Sequence, residues 1–541
     1  MNRPLARFRT TLRFPLLGLI FLLGCRGGAR ELDLPAGAKV LRLAATDDIP
    51  TLDPAIGYDT ASWGFEQMIF DTLVRYSDTG VDLVPDLATR WETSADAQTF
   101  TFHLRRDARF SNGRAVTSAD FKYAIERVLT PATRSKGIEY YRAIVGAEDF
   151  VARHAQTVAG IATPDPWTIV FHLTAADPIF VQKLAMPFAA AIQHEVADRW
   201  GEDFSRHVVG SGPFMLKEWR SGERIVLLRN PHYFDRALPR LDAIVEAIGV
   251  DQELQWLKFE AGEIDVSAIP PAEFPYVMKT PSLKDLTLHI VTLSTDYLGM
   301  NCRMKPFDDV RVRRALNYAI RKPKLTALLN GRGLAGYGIL PPGLPGYDPT
   351  IAGYPYDPDK ARRLLEEAGV GRNFAPLLWM RADQLETIQG ESIQQDLAEV
   401  GVHVVLKPVA WPPLLEAIRQ PDTVGLFSLG WEADFPDPQN FLEVLFAKKQ
   451  FGSNNDTFYS NPRVEELLAQ AAPISDHQRR YELYQEAQKL IIADAPWVVL
   501  YHPVTYVIHQ PWVHDYQLNP MRPTRLDKVW LDPHEGARSQ R

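Results

Sequence analysis

A chain of 541 residues is longer than one hydrophobic core usually supports, so at least two compact parts are expected. Its hydrophobic content of 46% and charged content of 23% are typical of a globular protein. The formal net charge of −8 argues against a nucleic-acid-binding surface, because such a surface requires a basic patch.

The N-terminus has the pattern of a secretory signal peptide. Four arginines and no acidic residue precede the apolar stretch 14–24, which is too short to span a bilayer. This stretch ends in Leu-Leu-Gly-Cys, which resembles the lipobox of bacterial lipoproteins, with Cys25 as the lipid acceptor. The alternative is a plain secretory signal with an incidental cysteine. We expect residues 1–24 to be the signal peptide and 25–39 a lipid-anchored linker, and removal of 1–24 moves the formal charge to −12.

Cysteine content agrees with this reading. Cys25 and Cys302 are the two cysteines of the sequence. If Cys25 carries a lipid, Cys302 has no partner, and the exported part contains no disulfide. Cys302 is then expected to be a small packed residue, not a nucleophile. No other segment approaches 18 uninterrupted apolar residues, so no further membrane span is predicted.

Strand and helix patterns alternate along the chain. Thr99–Leu104 and residues 167–173 alternate apolar and polar side chains, which predicts two half-buried strands. Between them, Thr117 and Asp120 have the spacing of a helix capping box, and Pro131 ends the apolar helical pattern that follows.

Two further helices are predicted from their starting residues. One opens near Asp309, and its solvent side is expected to carry three arginines: Arg311, Arg313 and Arg314. The other has Asp357 as N-cap, proline at its first position, and Gly369 as a left-handed C-terminal cap.

Three motifs resemble catalytic or cofactor sites but fail on context. Gly331, Gly333 and Gly336 match GxGxxG, yet prolines follow where a dinucleotide site needs a helix. His194 opens a zinc-protease pattern that lacks its second histidine, and Ser211 lacks the spacing of a nucleophile elbow. We therefore predict a non-catalytic protein with no metal site and no cofactor.

The stretch 430–442, GWEADFPDPQNFL, carries the most information. It follows the apolar run 424–429, which predicts a short buried strand, and its glycine and prolines predict a loop from Gly430 onward. A strand that ends in an aromatic residue and a carboxylate can present both to a cleft. A surface turn with a solvated aspartate is an equally good reading of this spacing alone.

Six segments together resemble the family 5 extracellular solute-binding proteins, the oligopeptide- and dipeptide-binding lipoproteins of ABC importers. The segments are TLDPA at 51–55, FSNGRAVTSADFKYAIERVL at 110–129, GSGPF at 210–214, PFDDVRVRRALNYAI at 306–320, YDPDKARRLLEEAG at 356–369 and GWEADFPDPQNFL at 430–442. Arg321-Lys322 departs from the acidic–basic pair that is usual after the fourth segment.

The resemblance implies an α/β fold of the two-lobed periplasmic-binding-protein class, large and type II-like, with an extra inserted region in the first lobe. The implied boundaries are 40–74, 204–298 and 502–541 for lobe 1, 75–203 for its inserted region, and 299–501 for lobe 2. Two crossing strands form the hinge in this family, and residues 298–301 are expected to lie on one of them.

The resemblance also implies the binding residues. Asp434 matches the carboxylate that holds a peptide's α-ammonium, and Gly430 and Glu432 are expected to offer backbone atoms to the ligand. Trp431 either lines the cleft or packs beneath it. A second group is expected to form the opposite wall of the cleft: Asp48, Ile49 and Thr51.

The implied function is capture of peptides for an ABC importer by a monomer that is exported and lipid-anchored to the bacterial cell membrane. Its partners are then a peptide ligand and the permease subunits, with no nucleic acid. The alternatives are the same role for an oligosaccharide, nickel complex, opine or antibiotic, an exported enzyme, or a peptide receptor without transport.

Overall fold

The computed structural model describes residues 34, 37–371, 374–521 and 525–532. The chain divides into two compact units after Ala38, and the second begins at Lys39. The predicted signal peptide and Cys25 lie outside the described residues. No helix within the described ranges is long and apolar enough to cross a membrane.

The strands of the described chain are numbered in chain order. They are β1 Val40–Ala45, β2 Val74–Tyr76, β3 Leu83–Pro85, β4 Ala88–Thr93, β5 Thr99–Leu104, β6 Ile161–Asp165, β7 Thr168–His172, β8 Phe214–Arg220, β9 Arg224–Arg229, β10 Ala243–Ile248, β11 Val266–Ala268, β12 Thr287–Val291, β13 Ser294–Met300, β14 Gly333–Ala335, β15 Leu377–Arg381, β16 Val405–Val409, β17 Leu426–Glu432, β18 Trp497–His509, β19 Val513–His514 and β20 Trp530–Leu531.

The α-helices are numbered in the same way. They are α1 Thr60–Ile69, α2 Ser118–Leu129, α3 Ile138–Tyr141, α4 Ala147–Val151, α5 Phe180–Lys183, α6 His194–Trp200, α7 Gln252–Glu260, α8 Phe274–Lys279, α9 Pro281–Lys284, α10 Val310–Ala319, α11 Lys322–Leu328, α12 Pro358–Glu367, α13 Gln384–Ala398, α14 Trp411–Ile418, α15 Pro438–Phe446, α16 Pro462–Ala471 and α17 His477–Asp494.

Among the described residues, three sheets of four or more strands organise the fold. The first has the order β1-β10-β9-β8, with β1 parallel to β10. The second is antiparallel in the order β4-β5-β7-β6. The third and largest runs β11-β18-β13-β17-β15-β16, and the long strand β18 also pairs with β12 and β14. Strand β18 therefore pairs with four strands of this sheet: β11, β12, β13 and β14.

The helix and strand predictions that rest on local signals are confirmed. Strands β5 and β7 lie at the two alternating segments, and the Asp120 carboxylate accepts the backbone N–H of Thr117 at 2.7 Å in a complete capping box. Asp309 and Asp357 are the N-caps of α10 and α12, and Gly369 adopts φ +71° just after α12.

The prediction for Arg313 is wrong. Its side chain is buried, whereas the prediction assigned it to the solvent side of α10. The guanidinium donates to three backbone carbonyls, those of Phe307, Asp308 and Asp494. A buried cation is tolerated where its donors are satisfied in this way. The helical pattern did not indicate that carbonyls from the turn before α10 and from the end of α17 converge on this face.

The predicted loop after Leu429 is also wrong in part, because β17 continues through Gly430 and Trp431 to Glu432. Gly430 pairs with Asp296 of β13, and a Cβ on Gly430 would lie 2.4 Å from the Asp296 Oδ1. The glycine therefore marks a close approach within a strand and does not end the strand.

The segment GSGPF packs its two glycines against the end of α1. A Cβ on Gly210 would lie 1.9 Å from the backbone oxygen of Ile69, and one on Gly212 would lie 2.6 Å from the Met68 oxygen. The N–H of Gly212 also donates to the Ile69 carbonyl at 2.8 Å. This contact needs glycine because the opposing atoms are backbone.

We expect Gly210→Ala to lower the free energy of unfolding by about 1–3 kcal/mol, since the added methyl group overpacks a backbone contact. Urea denaturation followed by circular dichroism measures this loss. Gly371→Ala is the matched control, because no described atom lies within 4 Å of its Cβ position. Equal stabilities for the two variants would contradict the packing argument.

Candidate functional site

The loop between β17 and α15 lies where two hydrophobic clusters meet. The first cluster consists of buried side chains between residues 55 and 191, together with Phe435. The second consists of buried side chains between residues 293 and 521 and includes Ala433. Because the two neighbours of Asp434 belong to different clusters, Asp434 is placed at the seam between them.

Three donors converge on one oxygen of the Asp434 carboxylate. Its Oδ2 accepts hydrogen bonds from the hydroxyls of Tyr58 at 2.8 Å and Tyr140 at 2.7 Å, and from the Asn440 Nδ2 at 3.1 Å. No residue in the described ranges hydrogen-bonds with Oδ1. The carboxylate is therefore fixed in orientation through one oxygen, while the other keeps its accepting capacity.

Aromatic packing positions the two tyrosines. Tyr58 precedes α1, and its ring lies 5.8 Å from that of Trp63 and 5.6 Å from that of Phe188. Tyr140 lies on α3, and its ring meets Phe435 edge-to-face at 6.1 Å. The residue after Asp434 thus packs against one of the tyrosines that bind it.

Asn440, in the first turn of α15, ties the loop together. Its Oδ1 accepts from the Trp431 indole N–H at 2.9 Å and from the Asp434 backbone N–H at 3.1 Å. The Trp431 ring is half-buried against the second cluster. Trp431 therefore stabilises the loop through these contacts. Its contact with a ligand stays a prediction.

A buried ion pair supports the loop from behind. Asp437 is the N-cap of α15, and its Oδ1 accepts from the Arg480 Nη2 at 2.9 Å. The side chains of Asp437 and Arg480 are 2% and 1% exposed. Arg480 also donates to the carbonyls of Ala471 and Ala472. The pair joins α15 to α17 and so fixes the position of the first turn of α15, directly after the Asp434 loop.

Burial dominates the electrostatics of the site. It raises the pKa of Asp434 above its ordinary value, although the hydrogen bonds from Tyr140, Asn440 and Tyr58 act in the opposite direction. Burial and the charge of Asp434 raise the pKa of both tyrosines well above 10, so each remains a donor. No ion pair to Asp434 occurs within the described ranges, so a cationic group from outside would find an uncompensated carboxylate.

A small cavity of about 50 Å³ opens beside Asp434. Most of its walls come from the chain between residues 63 and 190, and a smaller part from Asn519, Met521 and Arg525. Trp63, Glu66, Tyr76 and Arg525 are among its lining residues. A carboxylate at a seam beside a cavity is suited to binding a cationic group of a small molecule.

Strand β17 offers an open edge next to the same loop. Strand β15 pairs with β17 only at Leu426 and Phe427, whereas β13 pairs with it along its whole length. From Ser428 to Glu432, no strand in the described part of the chain lies on the β15 side. Gly430 is exposed and Glu432 is half-buried on this segment. Their backbone contact with a ligand stays a prediction.

The predicted opposite wall is occupied with other contacts. Asp48 accepts from the Trp219 indole and the Gly222 N–H, both at 2.9 Å. Ile49 is buried in a core next to the first sheet, and the Thr51 hydroxyl lies 3.1 Å from the Ser205 hydroxyl. None of the three is among the lining residues of the cavity beside Asp434. Their role in binding stays a prediction, and Tyr58 and Tyr140 are the residues that face Asp434.

The sequence pattern did not reveal Tyr58, Tyr140 or Asn440. Asn440 carried a weak signal, because it lies three residues after an N-cap and so within reach of the loop before the helix. The tyrosines carried none, since they are separated from Asp434 by 376 and 294 positions.

The catalytic look-alikes have structural contacts. Ser211 is buried, and its hydroxyl accepts from the Asp71 backbone N–H. Gly333 lies in β14, paired with β18. Burial raises the pKa of the Cys302 thiol to about 11, which disfavours the thiolate. The described residues contain no group of three His, Cys, Asp or Glu side chains that could hold a metal ion.

Comparison with known proteins places this geometry in a family. The profile for bacterial extracellular solute-binding proteins, family 5 Middle, matches residues 82–453. The dipeptide-binding protein of Escherichia coli is 28% identical over 486 residues, which cover 86% of this chain and 89% of that protein. Di/tripeptide-binding protein 4 of Pseudomonas aeruginosa is 30% identical, covering 84% and 88%.

Solved structures agree. The Helicobacter pylori periplasmic binding protein DppA, in complex with the peptide STSA, superposes with a TM-score of 0.80 at 28% identity, covering 92% of this chain and 99% of that one. The Haemophilus influenzae OppA complex, at 23% identity, shares the fold with a TM-score of 0.79. The predicted α/β, two-lobed periplasmic-binding-protein fold is confirmed. The chain belongs to the bacterial extracellular solute-binding proteins of family 5.

Proposed function

We propose that this protein is the solute-binding component of an ABC importer and that it captures peptides with a free N-terminus. The observation that carries the proposal is the buried Asp434 carboxylate, which has three donors on Oδ2 and none on Oδ1 from the described residues. A peptide's α-ammonium has the positive charge and the N–H donors that this oxygen can accept. The peptide-binding relatives named above support the same ligand class.

The open edge of β17 can hydrogen-bond with the backbone of the ligand. A peptide enclosed between two lobes must satisfy its own N–H and C=O groups once water leaves. Pairing with the strand edge from Ser428 to Glu432 does so without reading side chains. Asp434, at the end of this edge, then fixes the register through the ligand's first residue.

Closure of the lobes couples binding to transport. We propose the lobe boundaries 40–74, 204–298 and 502–541 against 299–501, with 75–203 as an inserted region and β13 and β18 as hinge strands. Tyr58 and Tyr140 belong to the first lobe and its insertion in this scheme, and Asp434 to the second. A ligand that contacts both sides stabilises the closed state by its differential affinity, which is the signal a permease can recognise.

Calorimetry with Ala-Ala-Ala and its N-acetylated form tests the ligand class. We expect micromolar or tighter binding of the free peptide and strongly reduced binding of the acetylated one. Mass spectrometry of the bound peptide after release should find it unchanged, as transport requires. Relatives include a heme-binding protein and glutathione-binding proteins, so co-purification of a non-peptide ligand, with no affinity for either peptide, would overturn the proposal.

Binding is expected to weaken as the pH falls. Burial raises the pKa of Asp434 in the empty protein, and an ammonium binds only the ionised carboxylate, so acid favours the unliganded form. The loss should therefore begin above the ordinary range of an aspartate. Calorimetry in two buffers of different ionisation enthalpy should reveal proton release on binding that grows as the pH is lowered. An affinity that does not fall as the pH is lowered would contradict the ammonium contact.

We further propose that the protein is exported and anchored through a lipid on Cys25. The basic, apolar and Leu-Leu-Gly-Cys order of the N-terminus supports this, and one diacylglyceryl group with a further acyl chain suffices for stable attachment. Cys25→Ser should move the protein from the membrane fraction to the soluble fraction and abolish incorporation of labelled palmitate. Unchanged membrane association without label in either form would contradict the anchor.

A further inference from the structure

A second carboxylate lines the cavity beside Asp434. Glu66 lies on α1, is 0% exposed, and neither of its carboxylate oxygens has a hydrogen-bond partner among the described residues. Its Oε1 lies against Gly57, where a Cβ would come within 2.2 Å. The chain thus leaves room for this carboxylate by placing a glycine opposite it, yet gives it no donor.

The charged groups around Glu66 make its ionised form still less favourable. Burial raises the pKa of Glu66 well above its ordinary value, and the carboxylates of Asp53 and Asp59 raise it further. No arginine or lysine in the described ranges forms an ion pair with Glu66. An unpartnered buried carboxylate is costly when ionised, and few persist without a structural or ligand-binding reason.

The cations of the cavity are already paired. Arg75 lies 3.0 Å from the Asp78 carboxylate. Arg525 lies 3.5 Å from Asp71 and from Asp527, and 4.0 Å from Asp86. Glu66 and Asp434 remain as the two lining carboxylates without a cation from the described chain. When these two groups ionise, the described chain provides no cation to balance their charge, and a cationic ligand can do so.

We propose that Glu66 binds a second cationic group of the ligand, so that the protein prefers peptides whose N-terminal residue has a basic side chain. This inference rests on the proposed function, because it places the peptide's α-ammonium at Asp434. The cavity of about 50 Å³ has room for about three or four water-sized groups. A lysine or ornithine side chain has about that size, and its ammonium supplies the donors that Glu66 lacks.

The test compares Lys-Ala-Ala with norleucine-Ala-Ala, which has the same side-chain length without the charge. We expect the wild-type protein to bind the lysine peptide at least tenfold more tightly. Glu66→Gln should remove this preference while leaving the affinity for Ala-Ala-Ala within about twofold. A wild-type preference for norleucine, or a lysine preference that survives in Glu66→Gln, would overturn the proposal.

One control variant and one reference peptide separate the possible failures. Asp456→Asn removes another buried carboxylate with an unpartnered oxygen, which does not line this cavity, and should leave the lysine preference intact. If Ala-Ala-Ala binds but no lysine preference exists in the wild type, the Glu66 proposal fails alone. If no peptide binds, the proposed function fails and the Glu66 proposal fails with it.

Stability provides an independent readout. A group whose folded-state pKa is raised contributes stability at low pH that is lost as the pH rises through that pKa. Glu66→Gln mimics the protonated acid, so its melting temperature should exceed that of the wild type at pH 8 and equal it at pH 4. Saturating Lys-Ala-Ala should reverse the order at pH 8. The same order with and without peptide would contradict a ligand cation at Glu66.

Discussion

Asp434→Asn is expected to weaken the binding of Ala-Ala-Ala by about 2–5 kcal/mol, the usual cost of truncating one partner of a buried charge pair. This corresponds to roughly 30-fold or more in Kd. The amide keeps the shape of the carboxylate and can still accept from Tyr58 and Tyr140, so the loss reports on the charge itself. Isothermal titration calorimetry with free and N-acetylated peptide measures this loss. The substitution should change the affinity for the acetylated peptide little.

Tyr140→Phe is the matched comparison. It removes one of the three donors to the Asp434 Oδ2 and leaves the charge, so a smaller loss of about 0.5–1.5 kcal/mol is expected. The melting temperature of empty Asp434→Asn should not fall, because burial already disfavours the ionised form. Equal losses for the free and acetylated peptides would remove the ammonium role from Asp434.

Local signals in the sequence were sufficient for several elements of the fold. Asp309 and Asp357 could be identified as helix N-caps because an aspartate that accepts a backbone N–H leaves its signature within three residues. Strand β5 could be identified because its alternation reflects one buried face. Asp434 could be singled out because it lies in the last of six segments whose order along the chain resembles the family.

The partners of Asp434 could not be predicted in this way. Tyr58 and Tyr140 meet Asp434 only through tertiary packing, in which Phe435 and Phe188 bring distant segments together. Glu66 carries no such signal either, because its burial depends on the segment around Gly57 that packs against it. The burial of Arg313 could not be predicted for the same reason, since its acceptors are carbonyls that lie outside its own helix.

Arg480→Met is expected to lower the free energy of unfolding by about 3–5 kcal/mol, because it leaves the Asp437 carboxylate buried without its cation. The loop that carries Asp434 should loosen as well, since Asp437 begins α15 immediately behind it. Peptide affinity should therefore fall together with stability, in contrast to Asp434→Asn. Urea denaturation gives the first quantity and calorimetry the second.

The double variant Arg480→Met/Asp437→Asn separates the charge from the cap. Asparagine is as good an N-cap as aspartate, so the double variant keeps the start of α15 while it removes the stranded charge. It should recover a large part of the lost stability, although the carbonyls of Ala471 and Ala472 still lack their donor. If the double variant is no more stable than Arg480→Met alone, then the hydrogen bonds to these carbonyls, and not the ion pair, are what Arg480 contributes to the fold.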